Sequence, residues 1–186
     1  YKQEIIESRT LSSELLFNLL KKTPNQVKQI ITASGTAIYP ESITQVYDET
    51  TTQTVDSFLS NVVKKWEVSV NTFQLLGIKV CKLRTGIVLS EKGGALPEMV
   101  KPIAMGFGAA MGSGKQIQSW FHVNDLVAMY HFALNNQLEG VYNAVSPNPV
   151  SNAVLTKTIA KVLKKPLWLP NVPEFVMKLI LGEMAY

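Results

Sequence analysis

Two short segments, a β-branched run and a near-continuous apolar run, constrain the fold of this chain more than any other feature. They read VKQIITAS over residues 27–34 and IKVCKLRTGIVL over residues 78–89, and both are rich in the β-branched side chains that favour strands. Between them, residues 56–76 repeat apolar side chains at helical spacing. Strands that are apolar on both faces are typical of parallel sheets covered by helices on both sides. The sequence therefore predicts an α/β fold.

The predicted helices and strands alternate along the chain. We expect helices over residues 1–22, 56–76, 96–105, 125–135, 151–163 and 173–181. We expect strands over residues 27–34, 78–89, 118–123 and 141–145, with mostly loop over residues 35–55. Asp56 and Ser151 are placed to cap helices at their N-termini, and Gly77 is placed to end one. Such alternation indicates a doubly wound sheet with crossover helices, of which the first strands are missing here.

Composition excludes several classes of protein. Hydrophobic residues make up 46% of the chain and charged residues only 17%, so disorder of the bulk of the chain is excluded. Cys81 is the one cysteine, which excludes a disulfide scaffold and fits a reducing cytoplasm. The net charge is only +4, and no basic stripe is interleaved with aromatic residues, so we expect no nucleic-acid partner. No stretch reaches the roughly 18 apolar residues of a membrane span, so we expect no membrane partner.

Small residues follow both predicted strands, where ligands of open α/β sheets bind. Residues 33–36 read ASGT and residues 84–87 read RTGI. Ordinary turn chemistry explains either segment alone, but two in succession favour a site at which a flat ligand approaches the backbone. Tyr39 lies five residues after Ser34, just beyond the end of the first strand. It either points into this site or packs on the loop.

His122 lies at the end of a predicted strand, where it either bonds to backbone or serves a site. We expect no metal site, because the other histidine, His131, is nine residues away without a cysteine pair or a carboxylate at ligand spacing. A triad of Ser34, His122 and Asp125 lacks a G-x-S-x-G elbow and is rejected. The GSGK at residues 112–115 is followed by glutamine instead of serine or threonine, so a phosphate loop is rejected too.

Four blocks of sequence carry a resemblance to a known family. They read LRTGIVLSEKGGALPEMVKPI, MGSGKQIQSWFHVNDLV, YNAVSPNPVSNAVL and LGEMA. In this order and spacing they resemble the epimerase-family branch of the extended short-chain dehydrogenase/reductases. Within that branch they are similar to proteins called NAD-dependent epimerase/dehydratase or sugar-nucleotide epimerase, some of which carry an older cell-division-inhibitor label.

The resemblance implies a Rossmann-type doubly wound parallel sheet, present here as an incomplete half, with a small substrate-binding lobe. Residues 1–89 would be the C-terminal half of the NAD(P)-binding domain. Residues 90–186 would be mainly the substrate lobe, with residues 118–145 returning to the sheet. Members of the family begin with a strand and a G-x-x-G-x-x-G turn and continue past GEMA. We therefore expect this chain to be an internal piece of a longer protein.

The resemblance also implies a cofactor, NADP(H) or NAD(H), and roles for individual residues. Those facing the cofactor would be Glu4, Arg9, Ala33, Ser34, Thr85, Gly86, Ile87 and Val88. Those facing a small-molecule substrate would be Gln118, Trp120 and His122. A physical argument also supports Arg9, because a guanidinium can donate two parallel hydrogen bonds to a phosphate or ribose. The alternative is an ordinary surface arginine. The oligomeric state stays open, with a homodimer as one option.

The chain departs from the wider superfamily at the catalytic Tyr-x-x-x-Lys pair, in which tyrosine is the acid/base and lysine supports it. An alignment on Trp66 places the tyrosine position at Leu59 and the lysine position at Val63. The assisting hydroxyl position falls at Gly35. None of these residues can move a proton, which puts ordinary epimerase or dehydratase chemistry in doubt.

Two functions therefore stay open. In the first, the protein is a cytoplasmic oxidoreductase of the epimerase/dehydratase type that acts on a small or sugar-nucleotide-like substrate. The proton would then be moved by a bound water or by one of three candidate catalytic residues, Ser34, Tyr39 and His122. In the second, the protein is a non-catalytic dinucleotide-binding or regulatory protein, for example one related to cell division.

Residues 1–186 expressed alone should bind dinucleotide poorly and melt without a sharp transition, because the apolar strands at residues 27–34 and 78–89 would lie open at one edge. Thermal unfolding and titration with cofactor measure both properties. A cooperative transition together with micromolar affinity would contradict this expectation.

Overall fold

The computed structural model describes residues 1–173, 175 and 176, and the chain divides into two compact units. The first unit comprises Tyr1–Pro40, Val46–Gly86 and Asn124–Val145. The second unit comprises Glu41–Gln45, Ile87–Val123 and Ser146–Tyr186. Within the described residues, no helix is both long enough and apolar enough to span a membrane.

Helices and strands alternate through the described residues, as predicted. The α-helices are α1 (Lys2–Lys22), α2 (Phe58–Asn71), α3 (Ala95–Ala104), α4 (Val123–Asn135) and α5 (Asn152–Val162), with short 3₁₀ helices at Thr36–Ile38 and Thr72–Leu76. The strands are β1 (Gln29–Gly35), β2 (Lys79–Thr85), β3 (Ile87–Leu89), β4 (Ile117–Gln118), β5 (Trp120–His122), β6 (Gly140–Ala144) and β7 (Val150–Ser151). The α/β fold with a parallel sheet is confirmed.

The first unit is built on a parallel sheet of β1, β2 and β6, with β2 in the centre. The expectation that residues 78–89 lie open at an edge was therefore wrong for β2, which has a partner on each side, whereas β1 does lie at an edge of this sheet. Because side chains alternate along a strand, β2 supplies apolar residues to both faces. Val80 packs with Val70 and Phe73 of the segment that contains α2. Cys81 and Leu83 pack with α4 on the opposite face. This two-sided burial explains the continuous apolar pattern of the sequence.

The second unit has its own core and two small sheets. The first small sheet pairs β3 with β5 in parallel, and the second pairs β4 with β7 in antiparallel orientation. Helices α3 and α5 contribute Ile103, Leu155 and Ile159 to a cluster around Leu89. Buried Asn152 accepts a hydrogen bond from the Met111 N–H at 2.8 Å. This contact fixes the start of α5 to the preceding loop.

The strand expected over residues 78–89 is in fact two strands, because the chain changes partners at Gly86. The Gly86 N–H donates to the Ala144 carbonyl at 3.2 Å, whereas the Ile87 N–H donates to the Ser119 carbonyl at 2.7 Å. The strand expected over residues 118–123 likewise divides into β4 and β5. The short strand β7 escaped sequence analysis, because two residues carry too little pattern to predict a strand.

Two of the three expected helix signals are confirmed. Ser151 Oγ accepts from the Val154 N–H, and Gly77 ends its helical segment with a φ of 71° in the left-handed region. The prediction for Asp56 was wrong, since Ser57 Oγ accepts from the Ser60 N–H and caps α2. The helix expected over residues 173–181 lies mostly outside the described residues.

Replacing Gly108 by alanine should destabilise the protein, because its new Cβ would lie 2.7 Å from Ile103 Cγ1 and 3.0 Å from Ile103 Cα. Overpacking of this kind costs about 1–3 kcal/mol. Gly93→Ala is the matched control, since nothing lies within 4 Å of its added Cβ. Urea unfolding of the full-length protein measures the free energy of both variants. Equal free energies of unfolding would contradict the tight packing at Gly108.

Candidate functional site

The carboxyl ends of β1 and β2 lie side by side, as the small-residue pattern predicted. Ser34 pairs with Arg84 and Gly35 with Thr85 in the register of the sheet. The Thr85 hydroxyl donates to the Ser34 carbonyl at 2.8 Å, and the Thr36 hydroxyl donates to the Thr85 carbonyl at 3.4 Å. These bonds join the two strand ends into one fixed platform of backbone and small side chains.

A buried ion pair lies beneath this platform, between β2 and α2. Arg84 donates from Nε to Glu67 Oε1 at 2.8 Å and from Nη2 to Glu67 Oε2 at 3.0 Å. Only 8% of Glu67 and 9% of Arg84 is exposed. The Ser34 hydroxyl donates to Glu67 Oε1 at 2.6 Å. The single proton of the Ser34 hydroxyl is therefore directed at the carboxylate.

The pattern of β2 explains why charge is buried here. Lys82 and Arg84 lie on the face of β2 that packs against α2, two residues apart, so both point at the helix. Lys82 Nζ donates to Asn71 Oδ1 at 2.8 Å and lies 3.9 Å from Glu67 Oε2. Burial lowers the pKa of Lys82. Because an unpaired buried charge is costly, these cations require the carboxylate of Glu67.

The pKa of Glu67 is set by opposing effects. Burial raises it, but hydrogen bonds from Arg84 and Ser34, together with the charges of Arg84 and Lys82, outweigh burial and leave the pKa below its ordinary value. The pKa of Arg84 is raised, first by its hydrogen bonds to Glu67. The pair is therefore ionised at neutral pH.

Tyr39 is tied to the same ion pair. Arg84 Nη1 donates to the Tyr39 hydroxyl at 2.8 Å, and the guanidinium lies over the Tyr39 ring, 5.3 Å from its centroid. The Tyr39 oxygen also lies 3.0 Å from Asn143 Oδ1 and 3.1 Å from the Asp48 carbonyl. Its ring stacks on Tyr47 at 5.7 Å. The structure thus links Ser34 and Tyr39 through the ion pair, because Ser34 donates to Glu67 and Arg84 donates to Tyr39.

The loop that follows Tyr39 is also fastened to the sheet. Glu49 Oε1 accepts from the Asn143 N–H in β6 at 2.6 Å. The Val55 N–H donates to the Ile38 carbonyl at 3.1 Å. The long segment expected to be loop is therefore held at the carboxyl ends of β2 and β6.

The two residues of α1 assigned to the cofactor have different surroundings. The Arg9 guanidinium lies over the Trp66 ring, 5.3 Å from its centroid, and donates to the Ile5 carbonyl at 2.8 Å. Arg9, Trp66 and Thr32 line a cleft of about 340 Å³ along β1. Glu4 is exposed in the first turn of α1. Arg9 thus faces a cleft, whereas Glu4 faces solvent.

The predicted site residues are divided between the two units. The first unit holds Glu4, Arg9, Ala33, Ser34, Tyr39, Thr85 and Gly86, and the second holds Ile87, Val88, Gln118, Trp120 and His122. In the second unit, His122 is exposed at the end of β5, where it pairs with Leu89. Trp120 Nε1 and Gln118 Oε1 are buried and have no hydrogen-bond partner among the described residues. These two atoms offer one donor and one acceptor.

Sequence analysis missed the central role of Glu67 and Arg84. A signal was present, because two cations interrupt an otherwise apolar strand and a carboxylate lies on the apolar face of α2. Sequence analysis did place Gly35 and Val63 at two positions of the lost catalytic group. The structure puts them in contact, since a Cβ added to Gly35 would lie 3.2 Å from Val63 Cγ2.

Glu67→Gln should destabilise the protein by about 3 kcal/mol at neutral pH, because it leaves Arg84 buried without a counter-charge. The folded pKa of Glu67 is lowered, so its stabilising effect is complete above the ordinary value of 4.5 and is lost as the pH falls through the folded pKa. The difference in the free energy of unfolding between Glu67→Gln and wild type should therefore become smaller in acid. Urea unfolding across a pH series measures it.

Glu98→Gln is the control for this experiment, because Glu98 forms an exposed ion pair with Lys101. Exposed ion pairs contribute little to the free energy of unfolding at any pH. If the free energies of unfolding of Glu67→Gln and wild type differ by the same amount from neutral pH into acid, the stabilising role of the ionised Glu67 carboxylate is contradicted.

Comparisons with known proteins agree with this architecture. The model of the NAD dependent epimerase/dehydratase family matches residues 1–145. An epimerase family protein of Staphylococcus aureus (strain MRSA252), SAR0825, is 37% identical over 188 residues, which is 100% of this chain and 62% of that protein. The chain therefore spans less than two thirds of the length of this relative.

Two solved structures resemble the chain closely. The human epimerase family protein SDR39U1 (isoform 2), solved with NADPH, has a TM-score of 0.86 and 31% identity over 96% of this chain and 60% of its own. A nucleoside-diphosphate sugar epimerase from Corynebacterium glutamicum has a TM-score of 0.76 and 31% identity, covering 96% of this chain and 39% of its own. The expected Rossmann-type fold is thereby confirmed. A family model matches residues 1–145, and a relative is 37% identical over 100% of this chain. The chain therefore belongs to the NAD dependent epimerase/dehydratase family.

Proposed function

We propose that the full-length protein binds NADP(H) or NAD(H) and acts as an epimerase- or dehydratase-like oxidoreductase on a small or sugar-nucleotide-like substrate. One observation carries the proposal. The carboxyl ends of β1 and β2 form a fixed platform of small residues, in a chain 31% identical to a protein solved with NADPH. A cytoplasmic location belongs to the proposal and is supported by the single cysteine, Cys81, which is free and buried.

The residues of the platform fit a nicotinamide dinucleotide. Small side chains at residues 33–36 and 85–86 leave the backbone approachable, as ligand sites at strand ends require. Ala33 and Ser34 would line the nicotinamide ribose, and Thr85, Gly86, Ile87 and Val88 would pass the carboxamide. Arg9, whose guanidinium lies at the cleft along β1, would face the cofactor with Glu4. A bound dinucleotide supplies the hydride acceptor or donor of the reaction.

The substrate would be held by residues of the second unit. The buried Trp120 Nε1 needs an acceptor and the buried Gln118 Oε1 needs a donor, because neither has a partner among the described residues. Hydroxyl groups of a sugar-like substrate would supply an acceptor and a donor, once the two atoms are opened to it. His122, which is exposed, would complete the substrate-facing set.

The proposed proton carriers are Ser34, Tyr39 and His122. Of these, His122 is the most open to solvent, whereas the hydroxyl of Ser34 is directed at Glu67 and that of Tyr39 at Asn143 and Asp48.

The alternative is a protein that binds the dinucleotide without hydride transfer, as a structural or sensing ligand. The contact between Gly35 and Val63 favours it, because a tight apolar contact occupies two positions that a hydroxyl and a lysine hold in the wider superfamily. General acid/base catalysis contributes about 10²- to 10⁴-fold. Without a replacement for the catalytic tyrosine, the protein would lose most of this rate enhancement.

Calorimetry on the full-length protein tests the proposal, with NADPH and NADH titrated separately. Micromolar affinity for at least one is expected, and no binding at millimolar concentration would exclude the proposal. Oxidation of NADPH is then followed by absorbance over a panel of carbonyl compounds and sugar nucleotides. Activity that survives Ser34→Ala, Tyr39→Phe and His122→Gln together would exclude these proton carriers. Cofactor binding without turnover across the panel would favour the alternative.

A further inference from the structure

We propose that Glu67 and Arg84 are positioning residues for the nicotinamide end of the dinucleotide site. This inference rests on the proposed function, because it concerns how Ser34 and Tyr39 are placed at that site. Both residues are buried. Glu67 of α2 accepts from the Ser34 hydroxyl, and Arg84 of β2 donates to the Tyr39 hydroxyl. Neither role was evident from the sequence.

The first step is the geometry of Arg84. Three of its N–H groups have separate acceptors: Nε and Nη2 bind the carboxylate of Glu67, and Nη1 binds the Tyr39 hydroxyl. A guanidinium presents its donors in a rigid planar fork. Fixing two of them on Glu67 therefore fixes the direction of the third. A lysine at this position could not hold both partners in the same geometry.

The second step is the effect on Ser34. Its hydroxyl donates to Glu67 at 2.6 Å, and its carbonyl accepts from Thr85 at 2.8 Å. Ser34 is 3% exposed, so the side chain is anchored beneath the platform. The ion pair thereby sets the path of the backbone from Ser34 to Gly35, where the ligand would approach.

The third step is the effect on the loop. Tyr39 connects Arg84 to Asn143 of β6 and to the Asp48 carbonyl. Since Glu49 also binds Asn143, the loop is held at the ends of β2 and β6. Loss of the guanidinium would release Tyr39 from β2 while leaving its contacts to β6. The expected result is a misplaced site in a protein that still folds.

The chain offers a matched control in Lys82. It lies on the same face of β2 as Arg84, is 8% exposed and donates to Asn71 of α2. Lys82 Nζ also lies 3.9 Å from Glu67 Oε2, but Lys82 bonds to neither Ser34 nor Tyr39. Lys82→Met and Arg84→Met each remove one buried cation from the same interface between strand and helix. A merely structural role would make the two variants alike.

The experiment uses the full-length protein with wild-type sequence, Arg84→Met, Arg84→Lys, Tyr39→Phe and Lys82→Met. The melting temperature is measured for each, and the Kd for NADPH is measured well below it from the fluorescence of the bound reduced nicotinamide. We expect both Arg84 variants to weaken NADPH binding by about tenfold or more, since small misplacements in a preorganised site are costly. Tyr39→Phe should weaken it about threefold, and Lys82→Met less than about twofold even where its melting temperature falls as far.

Binding of ADP-ribose and of its 2′-phosphate separates positioning from general damage, because these ligands lack the nicotinamide ring. Their affinities should be the same in Arg84→Lys and wild type, whereas the emission of bound NADPH should change in the Arg84 variants only. NADPH affinity within twofold of wild type in Arg84→Lys would overturn the inference. An equal loss of NADPH affinity in Lys82→Met would also overturn it. A loss of ADP-ribose binding in Arg84→Lys that parallels its loss of NADPH binding would do the same.

Two other outcomes are distinguishable from these. A wild-type protein that binds neither NADPH nor NADH contradicts the proposed function itself. If Arg84→Met does not fold, Arg84→Lys and Tyr39→Phe decide the matter, because both retain the size and most of the packing of the original side chain.

Discussion

The ion pair between Glu67 and Arg84 is the interaction on which the rest of the candidate site depends. It places a carboxylate of α2 against a guanidinium of β2 in a bidentate arrangement, and each additional donor or acceptor of the two groups serves the site. Glu67 anchors Ser34, and Arg84 anchors Tyr39. Such a pair contributes less to stability than its contacts suggest, because desolvation offsets the attraction. Its main effect is to specify one arrangement of two strand ends and a loop.

Much of the fold could be predicted from the sequence, because its signals are local. Three signals act over a few residues, and the structure has each of them: the apolar residues of β2, the serine cap of α5 and the glycine after Leu76. The change of partners at Gly86 could not be predicted in this way. It depends on Ser119 and Ala144, which lie far along the chain and give no signal near Gly86.

The same distinction applies to the candidate site. Small residues at the strand ends are visible in the sequence, and the register of β1 with β2 brings them together. Charged residues within β2, by contrast, have no evident meaning until Glu67, 17 residues before Arg84, is known to face them. An ion pair between a helix and a sheet depends on how the two pack in three dimensions, and this packing leaves no local signal in the sequence.

The contact between Gly35 and Val63 has a consequence for the evolution of this branch. A serine introduced at residue 35 would bring its Cβ against the branched Cγ2 of Val63, whereas an unbranched lysine at residue 63 has no such methyl group. The order of substitutions therefore matters: the change at residue 63 opens the way for the hydroxyl, and the reverse order passes through a strained intermediate. The restriction therefore runs in one direction: Val63 opposes a side chain at residue 35, whereas Gly35, which has no Cβ, places no such contact on residue 63.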